Sequence, residues 1–298
     1  MNTLKEFARN YVPAPANRQL RRWGASVRYR SQLAAAQECY RKYEASYDVP
    51  ILFIAGLPKS GTTWMENMLS SYPGYEPMMI PEAIRYELDH GGSHDFDLPS
   101  SLFERLDEVL AVLKLHVHGS EHNVEQLGDA DLPYLIMYRD LRDVAISHYF
   151  YVRRTPWHPE YGTYANLDVE AGLVHFGRTL LPAFDDWVRS WERNRHQENS
   201  LIVRYEDLLS DTETIFSDVA RLYGLDDSKE TIQDIVEAHS FENVSGGRER
   251  GQQSESSFFR KGVSGDWKNH FTDQVREVIK EHSGGVGVDH GYEEEPGW

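Results

Sequence analysis

The chain has 298 residues, one cysteine, 31 lysines and arginines, and 48 aspartates and glutamates, which gives a formal net charge of −17. Its 40% hydrophobic share excludes a disordered chain, no apolar run approaches the ~20 residues of a membrane span, and Met1–Asn10 lacks the apolar stretch of a secretory signal. The acidic balance argues against a general nucleic-acid-binding protein, and Cys39 has no partner for an intramolecular disulfide, which fits a reducing compartment. We therefore expect a globular, cytoplasmic protein that has no transmembrane segment and binds no nucleic acid.

The charge is unevenly distributed along the chain. Residues 1–48 carry nine basic and four acidic side chains, whereas the remaining residues carry 22 and 44. Residues 17–47 are predicted to form a helix, because apolar residues recur among its arginines in a rough stripe. We interpret residues 1–48 as a packed N-terminal helical extension with solvated arginines, and a membrane-surface or partner-binding role is the alternative. The stripe consists of Leu20, Trp23, Val27, Leu33, Ala36 and Tyr40.

Short apolar runs alternate with helical segments through the rest of the chain. Buried strands are predicted at 51–55 and 133–138, a strand with alternating faces at 112–118, and a further strand at 200–205. Helices are predicted at 63–71, 100–110, 142–152, 169–194, 206–223, 228–238 and 272–282. This alternation predicts a single α/β domain over 1–298, with a central, mainly parallel sheet flanked by helices. Residues 153–168 are expected to form a loop, residues 242–265 a mobile loop, and residues 284–298 a flexible acidic tail.

A glycine-rich loop, Gly56-Leu-Pro-Lys-Ser-Gly-Thr-Thr63, joins the first predicted strand to a helix. In that position, backbone N–H groups and the positive end of the helix dipole face an anion together. Gly56 and Gly61 keep the glycine spacing of the Walker pattern G-x-x-x-x-G-K-[ST], but Thr62 stands at its lysine position and the lysine is Lys59. The segment therefore predicts a phosphate-binding strand–loop–helix that has no obvious need for a metal ion.

Two further segments place basic residues where a second anion would bind. Arg139 ends a predicted strand and Ser147 follows eight residues later, so that a guanidinium fork and a hydroxyl can meet on one phosphate. An Arg/Asp-rich helix start is equally typical of capping and surface ion pairs. Arg260-Lys-Gly262 lies in a polar loop that either folds over a phosphate or forms a solvated basic turn. The residues alone leave both alternatives open for each segment; two separate anion sites would suit a nucleotide with phosphates at both its 5′ and 3′ ends.

The three segments together resemble a known family. Pro58-Lys-Ser-Gly-Thr-Thr-Trp64 resembles the 5′-phosphosulfate loop of cytosolic-type sulfotransferases, which use 3′-phosphoadenosine 5′-phosphosulfate (PAPS) as donor. Tyr138–Ser147 is similar to the family's 3′-phosphate motif, and Arg260–Phe271 to its C-terminal signature. The resemblance implies that Trp64 and Phe241 sandwich the adenine and that Tyr205 approaches it. The donor-binding residues it implies are Lys59, Ser60, Gly61, Thr62, Thr63, Trp64, Arg139, Ser147, Tyr205, Phe241, Arg260, Lys261 and Gly262.

Sulfuryl transfer to a hydroxyl needs a group that removes the acceptor proton and a group that stabilises the bridging oxygen to the leaving nucleotide. A neutral histidine suits the first task and Lys59 the second. Lys114-Leu-His116 resembles the family's Lys-Thr-His motif, whose histidine is the general base, although Leu115 replaces the threonine. His118 is the alternative base, because strand alternation puts it on the same face as His116. We expect Lys114 to orient the acceptor or the sulfonate, and count Ser147 with the catalytic groups.

Two other functions remain open at this point. One is a P-loop small-molecule kinase or NTPase, in which Asp140 after its strand acts as a Walker B carboxylate. The other is a non-catalytic nucleotide-binding protein with the same fold. No metal site is predicted.

The acceptor and the oligomeric state are predicted from two further segments. His148-Tyr-Phe-Tyr151, Trp157, Tyr161 and Tyr164 are expected to line an apolar pocket, which favours a phenol or hydrophobic alcohol as the small-molecule acceptor, with amines still open. Lys268–Glu277 resembles the family's short dimer motif, Lys-xxx-Thr-Val-xxx-Glu, with Asp273 in place of the valine. The resemblance implies a homodimer, and the charge at Asp273 weakens that implication.

Overall fold

A computed structural model of the chain describes residues 14–90, 95–252, 260–283 and 289–294. Its centre is a five-stranded, fully parallel sheet in the order β2-β3-β1-β4-β5. The strands are β1 Ile51–Gly56, β2 Glu76–Met78, β3 Ala111–Leu115, β4 Tyr134–Tyr138 and β5 Ser200–Arg204. Every residue of β1 and β4 is buried, as in a sheet covered by helices on both faces. The predicted α/β class is therefore confirmed, and β2 is a strand that the sequence pattern did not predict.

The register of the central strands brings three chain segments together at one edge. Ile51 pairs with Ala111 on one side of β1, and Phe53 pairs with Tyr134 on the other. After β1 the chain continues to β2 at one edge of the sheet, whereas after the neighbouring β4 it continues to β5 at the other edge. In parallel sheets this arrangement opens a crevice at the carboxyl ends of the strands.

Helices cover both faces of the sheet and create two hydrophobic cores. Alternate residues of β1 enter the two cores, with Phe53 on one face and Ile54 on the other. Three 3₁₀ turns occupy Glu44–Ser46, Gln197–Asn199 and Asp266–Asn269. The helices are α1 Ala14–Tyr43, α2 Thr62–Leu69, α3 Pro81–His90, α4 Leu102–Arg105, α5 Glu121–Asp129, α6 Leu141–Arg153, α7 Tyr161–Tyr164, α8 Val169–Thr179, α9 Leu181–Asn194, α10 Tyr205–Ser210, α11 Thr212–Leu222, α12 Lys229–Ala238, α13 Phe241–Ser245 and α14 Asp273–Ser283.

Three predicted helices differ from the structure for local reasons. The helix predicted at 169–194 breaks at Leu180, where Pro182 in the first turn of α9 lacks an N–H for the preceding helix. The helix predicted at 206–223 breaks at Asp211, whose side chain accepts a hydrogen bond from the Thr214 N–H and caps α11. Only α4 is helical within the range 100–110, and α3 precedes it in a segment for which no helix was predicted.

The predicted mobile loop and flexible tail are only partly described. Residues 253–259, 284–288 and 295–298 lie outside the described residues. Residues 289–294, which the sequence assigned to the flexible tail, instead pack against the domain. His290 is buried, the Tyr292 hydroxyl donates to Glu206 at 3.2 Å, and Arg142 donates to Glu293 at 2.8 Å.

The apolar residues of α1 do not form the single stripe that was predicted. Leu33, Ala36 and Tyr40 face the domain, whereas Leu20, Trp23 and Val27 point outward and are exposed. Within the part of the chain that the structure describes, no helix is both long and apolar enough to cross a membrane.

Candidate active site

The glycine-rich loop turns sharply between β1 and α2. Gly61 begins α2 with a φ of 78°, and Lys59 also has a positive φ, of 70°. A Cβ on Gly61 would lie 2.7 Å from the Tyr205 ring, so only glycine allows α10 to approach the loop this closely. The backbone thereby presents the N-terminus of the eight-residue α2 to the crevice.

Three buried polar atoms near this crevice have no hydrogen-bond partner among the described residues. They are Ser60 Oγ, Arg139 Nε and Arg260 Nη1. Buried donors without partners are uncommon in folded proteins. Each belongs to a different one of the three segments that the sequence predicted to bind phosphate groups. The residues present therefore fit a ligand with several anionic groups.

A cavity of about 370 Å³ lies at the carboxyl edge of the sheet. All of the predicted donor-binding and catalytic residues line it except Ser60, which is buried behind the loop. Among the described lining residues one side chain is acidic, Glu87. The basic lining residues are Lys59, Lys114, Arg139, Arg154, Arg250, Arg260 and Lys261. A strongly acidic protein thus has a locally basic cavity, and Arg154 and Arg250 are members that the motifs did not indicate.

Arg139 is fixed by the chain segment that folds over it. Its guanidinium donates to Asp143 Oδ2 at 3.0 Å and to the Val263 carbonyl at 2.8 Å. Asp143 also accepts from the backbone N–H groups of Gly265 and Trp267 at 2.7 and 2.9 Å. This carboxylate therefore joins α6 to the C-terminal segment, a role that no sequence motif indicated. Burial would lower the pKa of Arg139, but the negative charge of Asp143 outweighs it and raises that pKa.

The C-terminal basic segment is held by an internal carboxylate. Arg260 and Lys261 donate to the two oxygens of Asp266 at 2.7 and 2.8 Å. Burial would raise the pKa of Asp266, but the nearby His270 ring, at 3.5 Å, and the hydrogen bonds from Lys261 and Arg260 outweigh it and hold that pKa well below its usual range. The segment is therefore an ordered, paired structure and differs from the solvated basic turn that was the alternative reading.

Aromatic side chains line the cavity beside these cations. Trp64 is fixed by a hydrogen bond from its indole N–H to the His239 carbonyl at 2.9 Å. Gly262 has a φ of 62°, and a Cβ there would lie 2.5 Å from the Phe241 ring, so the backbone packs directly on that ring. The Arg139 guanidinium lies 4.4 Å from the centroid of the Tyr205 ring.

His116 lies just beyond β3 with its ring orientation fixed by β1. Its Nδ1 is 2.5 Å from the Gly56 carbonyl oxygen. A carbonyl only accepts, so in the neutral ring the proton is on Nδ1 and Nε2 carries the lone pair. Burial lowers the pKa of His116 to about 4, and the positive charges of Lys114 and Lys59 act in the same direction. The imidazole is therefore neutral at physiological pH.

The predicted placement of His118 beside His116 is wrong. Strand β3 ends at Leu115, and beyond it only Val117 pairs, in an isolated bridge with Phe96. Side-chain alternation therefore no longer applies at His118, whose Nε2 lies 2.9 Å from Asp186 Oδ2. His118 does not line the cavity.

Three further histidines line the cavity: His148, which the sequence predicted there, and His158 and His239, which it did not. His158 Nδ1 accepts a hydrogen bond from the Glu160 N–H at 3.2 Å, so its neutral ring carries the proton on Nε2. Burial lowers the pKa of His158 to about 4. His148 Nε2 is 3.0 Å from the Glu160 carboxylate and donates to it. Both Nε2 atoms are therefore donors in these tautomers, in contrast to His116.

Lys59 contacts an aromatic side chain of α6 that also lines the cavity. Its ammonium lies 4.0 Å from the centroid of the Tyr151 ring. Burial lowers the pKa of Lys59 to about 7, and four surrounding cations, led by Arg154, add to the effect. An anion in this cavity would remove that repulsion and favour the charged ammonium.

Lys114 is held by α2. Its ammonium donates to Glu66 Oε2 at 2.6 Å and to Thr63 Oγ1 at 3.1 Å. Glu66 is buried and was not indicated by any motif. These contacts couple the strand that carries His116 to the helix that begins at the phosphate loop.

The apolar end of the cavity differs partly from the prediction. His148, Tyr151 and Trp157 line it, but Tyr149 and Tyr164 are buried in a separate small core and Tyr161 packs against that core. The remaining apolar walls come from α3 and neighbouring segments. The sequence signal that could have predicted α3 is Pro81 followed by Glu82, which is typical of the start of a helix. These wall residues are Met79, Ile80, Ala83, Ile84, Tyr86 and Phe96.

Asp140 does not occupy the position of a metal-binding carboxylate. Both of its oxygens accept from the Arg142 guanidinium at 2.7 to 3.1 Å, and Oδ1 also accepts from the Arg142 N–H at the start of α6. It does not line the cavity. The described residues contain no group of three or more possible metal ligands from His, Cys, Asp and Glu. The carboxylate expected of a kinase or NTPase is thus engaged in an ion pair.

Comparison with known proteins identifies the family. The sequence model of the family described as "Sulfotransferase domain" matches residues 50–286. The chain belongs to the sulfotransferase family. It is 28% identical to rat sulfotransferase 1A1 over 250 residues, covering 78% of this chain and 82% of the relative. It is 26% identical to rat sulfotransferase 1 family member D1 over 263 residues, covering 77% and 81%.

Solved structures show the same fold. Mouse sulfotransferase SULT7A1 complexed with PAP has a TM-score of 0.56 at 20% identity, covering 88% of this chain and 94% of that one. Retinol dehydratase in complex with androsterone and inactive cofactor PAP has a TM-score of 0.59 at 20% identity, covering 85% and 86%. This sulfotransferase therefore shares its architecture with PAP-bound enzymes.

Proposed function

We propose that this sulfotransferase transfers the sulfuryl group of PAPS to the hydroxyl of an apolar small molecule, with His116 as general base. The observation that carries the proposal is the presence in one cavity of a helix N-terminus, seven cations and a histidine whose Nε2 bears the lone pair. The fold shared with PAP-bound sulfotransferases supports the identity of the donor.

The donor would be bound at two separate anionic ends. Lys59, Thr62 and Thr63 at the start of α2 would hold the 5′-phosphosulfate. Arg139, Ser147, Arg260, Lys261 and Gly262 would hold the 3′-phosphate, and Trp64 and Phe241 the adenine between them. PAPS supplies an activated sulfuryl group whose leaving group is adenosine 3′,5′-bisphosphate (PAP).

Transfer then depends on two groups, His116 as the proton acceptor and Lys59 as the stabiliser of the leaving oxygen. His116 Nε2 accepts the proton of the acceptor hydroxyl as that oxygen forms its bond to sulfur. The bond from sulfur to the bridging phosphate oxygen breaks in line, and the Lys59 ammonium stabilises the charge that develops on that oxygen. Lys114, which is held by Glu66 and Thr63, would orient the acceptor or the sulfonate. The neighbouring cations lower the pKa of His116, and the charge of the donor opposes that effect.

The chemistry of the acceptor follows from the lining of the cavity. The walls beyond His116 are aliphatic and aromatic, which favours a phenol or hydrophobic alcohol. The Nε2–H donors of His148 and His158 would not compete for the acceptor proton. Of His116, His148 and His158, His116 is the one whose Nε2 carries the lone pair and could accept that proton.

Radiolabelled sulfuryl transfer from PAPS to a panel of phenols, aliphatic alcohols and amines tests the proposal. His116→Asn retains an amide donor for the Gly56 carbonyl but removes the base, and should lower kcat by about 10²- to 10⁴-fold. PAP affinity, measured by calorimetry without Mg²⁺, should change little. His118→Asn is the matched control and should keep its activity. Transfer that survives in His116→Asn within a few-fold would exclude the base assignment.

The same measurements separate the alternative functions. A kinase or NTPase would bind Mg-ATP in preference to PAP, and a non-catalytic protein would bind PAP without transferring a sulfuryl group to any acceptor. Phenols accepted in preference to amines would support the acceptor class proposed here, and the reverse order would contradict it.

We also propose that Lys268–Glu277 mediates a weak homodimer. Asp273 is exposed at the start of α14, where it places a charge in the segment that resembles the family's dimer motif. Sedimentation should therefore show tighter association for Asp273→Val than for the wild type. Equal association of the two proteins would contradict this role.

A further inference from the structure

The outer face of α1 carries an apolar cluster that is unusual for an exposed surface. Leu20, Trp23 and Val27 are 56, 72 and 49% exposed. At 100° per residue, their positions fall within an arc of about 60° on the helix. The opposite face carries Ala25 and Ala36, which are buried. The helix is therefore anchored by one face and presents three large apolar residues outward on the other.

Positive charge surrounds this cluster in a protein that is otherwise acidic. Residues 14–37 contain five arginines and no acidic residue, whereas the whole chain has a net charge of −17. Arg28 and Arg30 are exposed and flank the apolar cluster on its two sides. The one acidic residue in the sequence of α1 is Glu38. Two further arginines turn away from it, since Arg22 pairs with Asp89 and Arg21 stacks on Trp157.

We propose that this face, formed by Leu20, Trp23, Val27, Arg28 and Arg30, docks on the surface of an anionic lipid bilayer. Trp, Leu and Val between arginines are the composition of helices that lie in the membrane interface. Three side chains are too few for the roughly 800 Å² per partner of a stable protein interface, but insertion of a few side chains suffices at a bilayer. The basic face also orients an acidic protein toward a negative surface.

The helix that carries this face also contacts the apolar end of the cavity. Arg21 follows Leu20 directly, and its guanidinium lies 3.4 Å from the centroid of the Trp157 ring, which lines the apolar end of the cavity. On the bilayer, the acceptor end of the cavity would lie next to the lipid phase, where apolar acceptors concentrate. The lipid binding itself does not depend on the proposed transfer reaction.

Co-sedimentation with vesicles tests the proposal on the full chain. The wild type should bind vesicles of phosphatidylcholine mixed equally with phosphatidylserine, and bind pure phosphatidylcholine at least tenfold more weakly. The triple variant Leu20→Gln, Trp23→Gln and Val27→Gln should lose about tenfold or more of its affinity. These positions are exposed and glutamine is a good helix former, so the fold and PAP binding should be retained.

Charge variants separate a bilayer from a protein partner. Arg28→Gln with Arg30→Gln should weaken binding to the mixed vesicles by about 25-fold, at about fivefold for each arginine. Arg178→Gln with Lys229→Gln removes the same charge from exposed positions on α8 and α12 and should have a smaller effect. No binding of the wild type to the mixed vesicles would overturn the proposal. Self-association lost in the triple variant, without vesicle binding, would overturn it in favour of a second copy of the chain.

Discussion

The ammonium of Lys59 should take up a proton when the nucleotide binds. Burial and the nearby cations hold the pKa of Lys59 at about 7 without ligand. An opposite charge within a few ångströms raises a pKa by about 1 to 3 units, so bound phosphate groups should bring it to about 9. At pH 8 the protonated fraction would then rise from about one-tenth to about nine-tenths, an uptake of about 0.8 proton. At pH 6 the uptake falls to about 0.1.

The same linkage predicts how affinity depends on pH. Because the charged ammonium is the form that binds the anion, the contribution of Lys59 to PAP affinity should decrease about ninefold from pH 6 to pH 8. This corresponds to about 1.3 kcal/mol. Stronger binding at the lower pH follows from the sign of the shift, since the pKa is lowered in the free protein and restored in the complex.

Calorimetry in buffers of different ionisation enthalpy measures this uptake directly. The proton uptake of Lys59→Met on PAP binding is subtracted from that of the wild type, because protons that PAP itself releases then cancel. Lys229→Met, at an exposed position, is the control and should behave as the wild type. Equal proton uptake by the wild type and Lys59→Met at pH 8 would refute the assignment of the lowered pKa to Lys59.

Two further predictions concern ligand packing and stability. Gly262→Ala should weaken PAP binding about tenfold, because its Cβ would collide with the Phe241 ring on which the adenine is proposed to stack. Gly265→Ala, at a similar φ of 75° with open space, is the control, and equal losses would contradict the packing argument. Burial would lower the pKa of His290, but the carboxylates of Asp185 and Glu192 raise it to about 9. The contribution of His290 to the stability of the fold is therefore complete below pH ~6.5 and disappears as the pH rises through 9. His290→Gln should therefore lose up to about 3 kcal/mol more unfolding free energy at pH 6 than at pH 10 in urea titrations, and equal losses at both would contradict it.

The segments proposed to bind the anionic groups of the donor could be found in the sequence because each of them is local. The loop from Gly56 to Thr63 carries its glycines, lysine and hydroxyls within eight residues, and strand and helix flank it. The fold class followed from alternation of apolar runs and helical segments. The break at Leu180 was missed because the helical pattern of apolar residues continues across Pro182. Proline lacks the N–H that would continue the preceding helix, but the pattern alone does not show whether that helix ends there.

What the sequence by itself determined, then, was the parallel α/β architecture and the segments proposed to bind the donor, since periodicity and short motifs depend on neighbours along the chain. Tertiary structure decided which of the two histidines considered as the base faces the cavity. The Gly56 carbonyl fixes the tautomer of His116 from a different strand, whereas the end of β3 at Leu115 takes His118 away. It also decided that Asp143 and Asp266 hold the C-terminal cations, and that Trp23 points away from the domain. Each of these outcomes depends on partners distant in sequence, which no local pattern encodes.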